Sequence, residues 1–348
     1  MTTVLITGCA GFIGSTVLRQ WLADTDWRLV GVDKFAYAGL RESIAPLLAH
    51  PRFSLQVADI CDGPALHALL AREQPDGIVH LAAESHVDRS LNGPAAFIQT
   101  NLVGTAMLLE VARAHLETLP AARREAFRFL QVSTDEVFGA LGPTGRFDEA
   151  SPHAPNSPYS ATKAGADHLV RAWHRSYGLP VLTTHSPNNY GPRQIPEKLI
   201  PRMIHLALQG KPLPIYGKGD NVRDWLHVDD HARALRAVLE RGRPGETYCI
   251  GGGIELSNLD LVQQLCTLLD ARRPADIAHA RLIEHVTDRP GHDWRYAING
   301  SKLERELGWR ALQPFTQGLA DTVDWYLDNP DWMARAWEQI QQSAPPVA

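Results

Sequence analysis

The chain has few cysteines, no excess of basic residues and no ligand-spaced histidines. Its four cysteines lie far apart and form no CxxC pair, which argues against a disulfide framework or a zinc knuckle and favours a reducing compartment. The formal net charge of −5 is unlike that of a nucleic-acid-binding protein. The 15 histidines are scattered along the chain, so we expect no metal site.

Long apolar runs are also scarce. The first apolar stretch ends at Gly8, which makes it too short for a signal peptide. We expect no later stretch to approach the length needed to cross a membrane. Together these absences predict a cytoplasmic protein that has neither a membrane nor a nucleic acid as its partner.

Hydrophobic residues nevertheless make up 44% of the 348 residues, enough to fill a substantial core. Runs of strand length with β-branched residues occupy 4–7, 29–33, 53–58, 77–82 and 127–133, and stretches with helical spacing separate most of them. This alternation predicts an α/β fold, with a doubly wound parallel sheet covered by helices on both faces.

Glycine and proline become dense after a further strand-like run at 181–185, where short elements replace the regular alternation. We therefore predict a first domain over 1–185 and a smaller mixed α/β C-terminal lobe over 186–340, with some chain returning to the first domain. Residues 341–348 are expected to form a frayed tail. The two longest helix candidates, 94–119 and 157–177, each offer a face that a partner helix could cover.

A GxxGxxG pattern formed by Gly8, Gly11 and Gly14 stands between the first strand and an apolar helix. In that position backbone N–H groups can approach a pyrophosphate, and the helix dipole favours its negative charge. Asp33 follows at the end of the second strand, where a carboxylate can bind a ribose 2′-hydroxyl. The pattern predicts a Rossmann-type site for NAD, because Asp33 would repel the 2′-phosphate of NADP, although Lys34 and Arg41 nearby leave NADP open.

Tyr159 and Lys163 lie four residues apart in a helix candidate, so they share one helix face. A lysine ammonium beside the phenol, together with a positive nicotinamide ring, would lower the pKa of the tyrosine towards working pH. Tyr159 could then take the proton of an alcohol while hydride leaves the same carbon. With Ser133 at the end of the preceding strand, this spacing predicts a dinucleotide-dependent redox site.

These motifs together resemble the extended short-chain dehydrogenase/reductases that act on nucleotide sugars. Within that family the chain is similar to the dTDP-glucose 4,6-dehydratases along nearly its whole length. The matching segments, in the family's order, are 82–90, 133–139, 188–192, 196–201, 213–219, 223–225 and 288–293. The resemblance implies NAD as cofactor, dTDP-glucose as substrate, and a homodimer in which the two long helices of each chain form a four-helix bundle.

The resemblance also assigns a dehydration set to Thr134, Asp135 and Glu136, just past the fifth predicted strand. Two adjacent carboxyls can divide acid and base roles if their surroundings separate their pKa values. In the implied mechanism Tyr159 assists oxidation at C4 of the hexose, Glu136 takes the C5 proton, and Asp135 protonates the departing C6 hydroxyl. Hydride passes to NAD⁺ in the first step and returns to C6 in the last. Thr134 would hydrogen-bond the C4 oxygen, and Lys163 completes the catalytic set.

Further contacts are expected along both ligands. Expected cofactor contacts are Gly8, Gly11, Phe12, Ile13, Gly14, Asp33, Lys34, Asp59, Ile60, Leu81, Ala82, Ala83, Ser85, Thr100, Ser133, Tyr159, Lys163 and Asn188. Expected substrate contacts are Ser85, Thr134, Asn189, Glu197, Lys198, Leu199, Pro214, Ile215, Tyr216, Arg223, Asn258, Asp288, Arg289 and His292. Arg223 and Arg289 suit diphosphate oxygens, because a guanidinium group can bind them through two hydrogen bonds. His292 is equally compatible with a surface position beside a turn.

Other functions fit parts of the pattern. The intact Thr-Asp-Glu set disfavours a UDP-sugar 4-epimerase or decarboxylase, and the retained Ser133, Tyr159 and Lys163 disfavour a cofactor-binding protein without activity. A 4,6-dehydratase acting on another nucleotide sugar stays open, since one methyl group is worth only about 1–3 kcal/mol of discrimination. The chain departs from the family at 185–187 and at Arg193, which flank the expected cleft, and at Cys9, which we interpret as a packing residue.

Overall fold

The structure, a computed structural model, describes residues 2–343 and is built around one large parallel sheet. The strands are β1 (Thr3–Thr7), β2 (Arg28–Asp33), β3 (Phe53–Val57), β4 (Gly77–His80), β5 (Arg128–Thr134), β6 (Val181–Ser186), β7 (Asn188–Tyr190), β8 (Leu213–Tyr216), β9 (Val222–His227), β10 (Thr247–Cys249), β11 (Glu255–Ser257) and β12 (Ile283–Val286). Seven of them form the large sheet in the order β10-β6-β5-β4-β1-β2-β3, and each neighbouring pair is parallel. The predicted α/β class with a doubly wound parallel sheet is thereby confirmed.

Helices account for most of the remaining chain. They are α1 (Phe12–Asp24), α2 (Gly63–Glu73), α3 (Val87–Asn92), α4 (Pro94–Phe97), α5 (Thr105–Thr118), α6 (Ala121–Ala126), α7 (Pro158–Tyr177), α8 (Leu199–Ala207), α9 (Val228–Arg241), α10 (Asn258–Arg272), α11 (Ser301–Leu307), α12 (Phe315–Asp328) and α13 (Pro330–Gln342). A π-helical segment, Ile98–Gly104, joins α4 to α5. Because α13 runs to Gln342, residues 341–342 of the predicted tail are helical, and 344–348 lie outside the described residues.

Both faces of the large sheet are covered. On one face α1 packs against α9, where the buried Trp21 donates from its indole Nε1 to the Ala232 carbonyl at 3.1 Å. On the other face α2, α5 and α7 pack around a buried cluster that includes Leu108 and Phe129. The carboxyl ends of the strands therefore meet at one open edge, which is where ligands bind in folds of this kind.

The chain after β6 divides between the large sheet and a smaller lobe. Parallel pairing with β6 places β10 in the large sheet, and α9 lies on α1. The remaining strands form two small sheets, β11-β9-β7 and β12-β8. A second apolar cluster, which contains Tyr190, Leu265 and Tyr326, lies among α8, α10 and α12. Both small sheets contribute residues to a cavity at the carboxyl edge of the large sheet.

The expectation that no stretch approaches transmembrane length needs correction. Pro94–Thr118 forms one helical run of 25 residues, long and apolar enough to cross a membrane by length and composition alone. Half of its most apolar window is buried inside the structure, as is common for a core helix of a globular domain. A helix over 94–119 was predicted, but polar residues such as Gln99 and Asn101 interrupt its apolar residues, so the stretch was not expected to be apolar enough to cross a membrane.

Candidate active site

Two adjoining cavities, each of about 330 Å³, lie at the carboxyl edge of the large sheet. Predicted residues that line the first are Gly8, Gly11, Phe12, Ile13, Gly14, Asp33, Lys34, Ile60, Leu81, Ala82, Ala83, Ser85, Thr100, Ser133, Thr134, Asp135, Glu136, Tyr159, Lys163, Asn188, Asn189, Lys198 and Leu199. Predicted residues that line the second are Ser85, Glu136, Asn188, Glu197, Lys198, Leu199, Pro214, Ile215, Tyr216, Arg223, Asn258, Arg289 and His292. Glu136 belongs to both sets and stands where the cavities meet, whereas Asp59 and Asp288 line neither.

Close packing fixes the glycine loop at the floor of the first cavity. Gly8 has φ +69°, and a side chain there would also approach the Ala82 backbone N to 2.7 Å. A Cβ at Gly14 would lie 2.2 Å from the Gly8 carbonyl oxygen, whereas one at Gly11 would stay 3.3 Å from that same atom. Gly8 and Gly14 are thus required by the fold itself. Gly11 leaves room for a group approaching the start of α1.

The Asp33 carboxylate is oriented by backbone groups at the end of β2. It accepts hydrogen bonds from the Ala10 N–H at 2.9 Å and the Phe35 N–H at 2.8 Å. Burial raises the pKa of Asp33, and those hydrogen bonds oppose the rise. Lys34 lines the cavity and pairs at 3.1 Å with Asp59, which does not itself line it. The cavity therefore presents a fixed acceptor beside the glycine loop.

A capping box starts α7 and thereby places the redox pair. The Ser157 side chain accepts from the Ser160 N–H at 3.1 Å, and the Ser160 hydroxyl accepts from the Ser157 N–H at 3.0 Å. The helix ends at Gly178 in the left-handed conformation. Tyr159 lies in the first turn and Lys163 one turn later, and both side chains are buried against the cavity.

The spacing of Tyr159 and Lys163 suggests that the lysine ammonium lies beside the phenol, but its hydrogen bond is to a backbone carbonyl. Its Nζ donates to the Val132 carbonyl at 2.8 Å. Burial, together with the charge of Glu136, raises the pKa of Tyr159 well above its ordinary value, and a hydrogen bond with Thr134 only partly opposes this. The lowering of the tyrosine pKa that we expected is therefore not produced by the side chains alone. Positive charge from a ligand in the cavity would be needed.

The two carboxyls of the dehydration set differ in their surroundings. Burial and the neighbouring charge of Glu136 raise the pKa of Asp135 well above its usual range. Burial also raises the pKa of Glu136, but the charges of nearby cations limit the rise. Those cations are Arg289, Lys198 and Arg223. The environment thus favours a protonated Asp135 beside a Glu136 that ionises more readily, which is the division that acid and base roles require.

The two predicted diphosphate ligands differ in their freedom to bind. Arg223 is committed to backbone carbonyls, including those of Val222 at 2.8 Å and Asp293 at 3.0 Å, and its guanidinium lies 4.5 Å from the Tyr296 ring centroid. The buried Nε of Arg289 has no hydrogen-bond partner within residues 2–343. Arg289 therefore offers the freer donor for an anionic group in the second cavity.

Several lining or supporting residues were missed by the sequence analysis. Asp88 accepts from Arg289 at 2.8 Å and from the Tyr216 hydroxyl at 3.1 Å, so it connects the first domain to two residues of the lobe. Tyr37 lines the first cavity, with the Arg89 guanidinium 4.1 Å from its ring centroid. Asp88 and Arg89 lie inside a segment that carried the family resemblance, but no local pattern indicated their partners.

His292 and Asp288 form a pair at the rim of the second cavity. The His292 Nδ1 lies 2.7 Å from an oxygen of Asp288, and its ring makes an edge contact with Tyr216 at 6.0 Å between centroids. The histidine thus faces the cavity rather than the surface. Asp288 does not line the cavity, but it fixes the His292 ring through this contact.

One group in the described part of the chain brings three potential metal ligands together. Atoms of His153, Asp167 and His185 lie within 4.8 Å of one another. In a tetrahedral zinc site each ligand atom lies about 2.1 Å from the metal, so neighbouring ligand atoms lie about 3.4 Å apart. Asp167 already accepts from the Ser133 hydroxyl at 2.6 Å and lies 3.0 Å from the His185 Nε2. Hydrogen bonding therefore accounts for the contacts of Asp167 in this group.

The sheet topology, the glycine loop and the Tyr159/Lys163 pair define a dinucleotide-dependent enzyme of the extended short-chain dehydrogenase/reductase class. A family model described as GDP-mannose 4,6 dehydratase matches residues 5–322. The chain belongs to this family of nucleotide-sugar 4,6-dehydratases.

Proteins similar to this chain include several named as dTDP-glucose 4,6-dehydratases. The dTDP-glucose 4,6-dehydratase of Xanthomonas campestris pv. campestris is 55% identical over 335 residues, covering 96% of this chain and 95% of that protein. The dTDP-glucose 4,6-dehydratase 1 of Escherichia coli K12 is 52% identical over 349 residues, covering 98% and 97%. The crystal structure of DesIV, a dTDP-glucose 4,6-dehydratase from Streptomyces venezuelae with NAD and TYD bound, has a TM-score of 0.89 at 45% identity and covers 96% of this chain and 100% of that one. The resemblance inferred from the seven motif segments is confirmed.

A structure with different chemistry is also similar. The UDP-glucuronic acid 4-epimerase of Bacillus cereus, in complex with UDP-glucuronic acid and NAD, has a TM-score of 0.83 at 28% identity, covering 94% of this chain and 99% of that one. The fold is thus shared between dehydratases and epimerases, and the choice between these reactions depends on the residues of the site.

Proposed function

We propose that the protein catalyses the NAD-dependent 4,6-dehydration of dTDP-glucose to dTDP-4-keto-6-deoxyglucose. The observation that carries this function is the placement of two adjacent carboxyls with unequal surroundings, the buried Asp135 and the half-buried Glu136, beside Tyr159. The 50–55% identity to proteins named dTDP-glucose 4,6-dehydratase over almost the whole chain supports the same reaction. An epimerase needs no such acid and base pair, so the alternative on a UDP-sugar is disfavoured.

Each catalytic side chain has a task that its position suits. Bound NAD⁺ would supply positive charge beside the phenol and would serve as the acceptor, and later the donor, of hydride. Tyr159 takes the C4 hydroxyl proton, and Thr134 binds the same oxygen. The C4 ketone makes the C5 proton acidic enough for Glu136 to remove. Asp135, held protonated by burial, gives its proton to the departing C6 hydroxyl.

The nucleotide sugar would occupy both the junction and the second cavity. The hexose lies at the junction, where Glu136 and Asn188 line both cavities. Arg289, with its unpaired Nε, binds the diphosphate, and the base lies by 214–216. In this arrangement 1–185 serves as the dinucleotide domain with the catalytic residues, and 186–340 serves mainly as the nucleotide-sugar lobe. We also propose that the enzyme is cytoplasmic, where its soluble substrates would be available.

The reaction is tested by incubating purified protein with dTDP-glucose and, separately, UDP-glucose, with and without added NAD⁺. We expect dTDP-glucose to lose one water and to yield a 4-keto-6-deoxy product, seen by mass and by alkaline absorbance, without net NADH. Tyr159→Phe should lower the rate by at least about 100-fold, because the general base is lost. The exposed Tyr177, at the end of the same helix, provides the control Tyr177→Phe, which should keep full activity.

Two results would count against this function. An epimerised or unchanged dTDP-glucose in the presence of bound NAD would remove the dehydratase assignment. Faster turnover of UDP-glucose than of dTDP-glucose would support the dehydration reaction but identify UDP-glucose as the preferred substrate.

We also propose a homodimer formed by the run Pro94–Thr118 and α7, which pack against each other. Ile98 and Val103 on this run keep 47% and 42% of their surface exposed, and only half of its most apolar window is buried. Two such helices from each of two copies would bury these side chains in a four-helix bundle.

In sedimentation velocity we expect the wild type to be a dimer and Val103→Glu to shift it towards monomer. Val57→Glu, an exposed valine on β3, should remain dimeric, and a monomeric wild type would refute the interface.

A further inference from the structure

Asp167 carries a buried carboxylate that contacts Ser133 and lies one helical turn from Lys163, and the proposed mechanism gives it no role. It is one helical turn beyond Lys163 on α7, so both side chains are directed towards the end of β5. Its Oδ2 accepts from the Ser133 hydroxyl at 2.6 Å, and the His185 Nε2 lies 3.0 Å from the same oxygen. The Gln131 side-chain amide approaches Oδ1 at 3.5 Å.

We propose that Asp167 is a positioning residue for the redox pair. It fixes the direction of the Ser133 hydroxyl and keeps Lys163 protonated, and His185 holds Asp167 in place. The catalytic part of this inference rests on the proposed function, because a Tyr159 phenolate is useful only if hydride transfer takes place. The contacts of Asp167 do not depend on that function.

The first effect concerns Ser133, which lines the first cavity from the end of β5. An ionised carboxylate can only accept hydrogen bonds, so the single hydroxyl hydrogen of Ser133 is committed to Asp167. Ser133 then presents lone pairs to the cavity, and a ligand group beside it must be a donor. An asparagine at position 167 could donate instead, and the hydroxyl of Ser133 would be free to reverse its direction.

The second effect concerns the charge of Lys163. Its ammonium donates to the Val132 carbonyl, a neutral group that cannot offset the burial of a positive charge. Burial lowers the pKa of Lys163, and the charge of Asp167 is the influence that opposes the fall. Removing that charge should therefore lower the pKa of Lys163 further.

The role of His185 follows from the ionisation of Asp167. Burial acts to raise the pKa of Asp167, but the hydrogen bond and charge of His185, with smaller effects of Lys163 and Ser133, leave it below its ordinary value. His185 therefore donates from Nε2. Its Nδ1 is buried without a partner in the described chain, so this one bond anchors the ring.

Other titratable groups surround this cluster and must be considered in any pH profile. They are Tyr159 and His168 on α7, His153 in the loop before α7, His80 on β4, and Asp135 and Glu136 after β5. Burial lowers the pKa of His80 to about 3, which keeps it neutral throughout the working range. Asp167 is the carboxylate that raises the pKa of Lys163, so its removal has a distinct signature.

The test compares Asp167→Asn with the wild type by two measurements. The first is the pH dependence of Lys163 acetylation by acetic anhydride, followed by peptide mass spectrometry, which reports the neutral amine directly. We expect half-labelling to move to lower pH. The second is the pH profile of kcat with dTDP-glucose, whose alkaline limb should move down with it while KM changes less than about twofold. Glu125→Gln, which replaces an exposed carboxylate on α6 far from this cluster in sequence, should match the wild type in both.

A second pair of variants keeps the test decisive if Asp167→Asn fails to fold. His185→Gln retains a donor that can reach Asp167, and His185→Leu does not, so the leucine variant should alter the labelling profile and the glutamine variant should largely restore it. Identical Lys163 labelling in the wild type and the Asp167 or His185→Leu variants would overturn the inference. A wild type that labels as expected but does not dehydrate dTDP-glucose would contradict the proposed function and leave the electrostatic part of the inference standing.

Discussion

Replacing Glu136 with glutamine is expected to stop the loss of water while leaving oxidation at C4 possible. The side chain keeps its size at the junction of the two cavities, but an amide cannot take the C5 proton. Product formation should fall by about 100- to 10,000-fold, the usual contribution of a general base. The 4-keto sugar and reduced cofactor should accumulate on the enzyme, because without elimination hydride cannot return to C6. Stopped-flow absorbance of the reduced nicotinamide and mass analysis of the quenched sugar measure both effects.

Asp135→Asn provides the matched contrast for that experiment. It should also slow elimination, but the C5 proton would still exchange with deuterium from the solvent, because Glu136 remains to remove it. Glu125→Gln, an exposed position on α6, serves as the neutral control. If Glu136→Gln abolished oxidation at C4 as well, Glu136 would belong to the hydride-transfer step and the acid and base assignment would have to be withdrawn.

Local sequence patterns predicted the fold class and the position of the redox motif well. The glycine loop, the Tyr159/Lys163 spacing and the 133–136 segment are each contained in a few residues that follow a strand or begin a helix. Because parallel strands bring their carboxyl ends to one edge, three local motifs were sufficient to predict a common site. The catalytic roles of these residues remain predictions that the variants above are designed to test.

Contacts between distant parts of the chain could not be predicted in the same way. Asp88 and Arg289 are separated by 201 residues, and only the folded lobe brings them together. Lys163 binds a backbone carbonyl and Arg223 binds several, and backbone acceptors leave no trace in the side-chain sequence. Some return of chain to the first domain was predicted, but β10 has three residues, too few for a hydrophobic period, so the pattern could not show which segment returns.

The glycines of the loop look equivalent in sequence, but their surroundings in the fold differ. Gly14→Ala is expected to destabilise the protein by about 3 kcal/mol or more, because its Cβ would meet the Gly8 carbonyl oxygen at 2.2 Å and the loop and α1 would have to separate. Gly11→Ala meets that oxygen only at 3.3 Å and should fold with near-normal stability. It should nevertheless bind NAD⁺ more weakly, because the methyl group would stand where a pyrophosphate approaches the start of α1.

Urea unfolding without ligand and calorimetric titration with NAD⁺ separate these two effects. For Gly14→Ala we expect a lower unfolding midpoint and no measurable NAD⁺ binding, and for Gly11→Ala an unchanged midpoint with an affinity reduced by at least about tenfold, which corresponds to about 1.4 kcal/mol. Equal stability of the two variants would mean that the loop relaxes around the Gly14 clash. Unchanged NAD⁺ affinity in Gly11→Ala would mean that the pyrophosphate does not lie against this part of the loop.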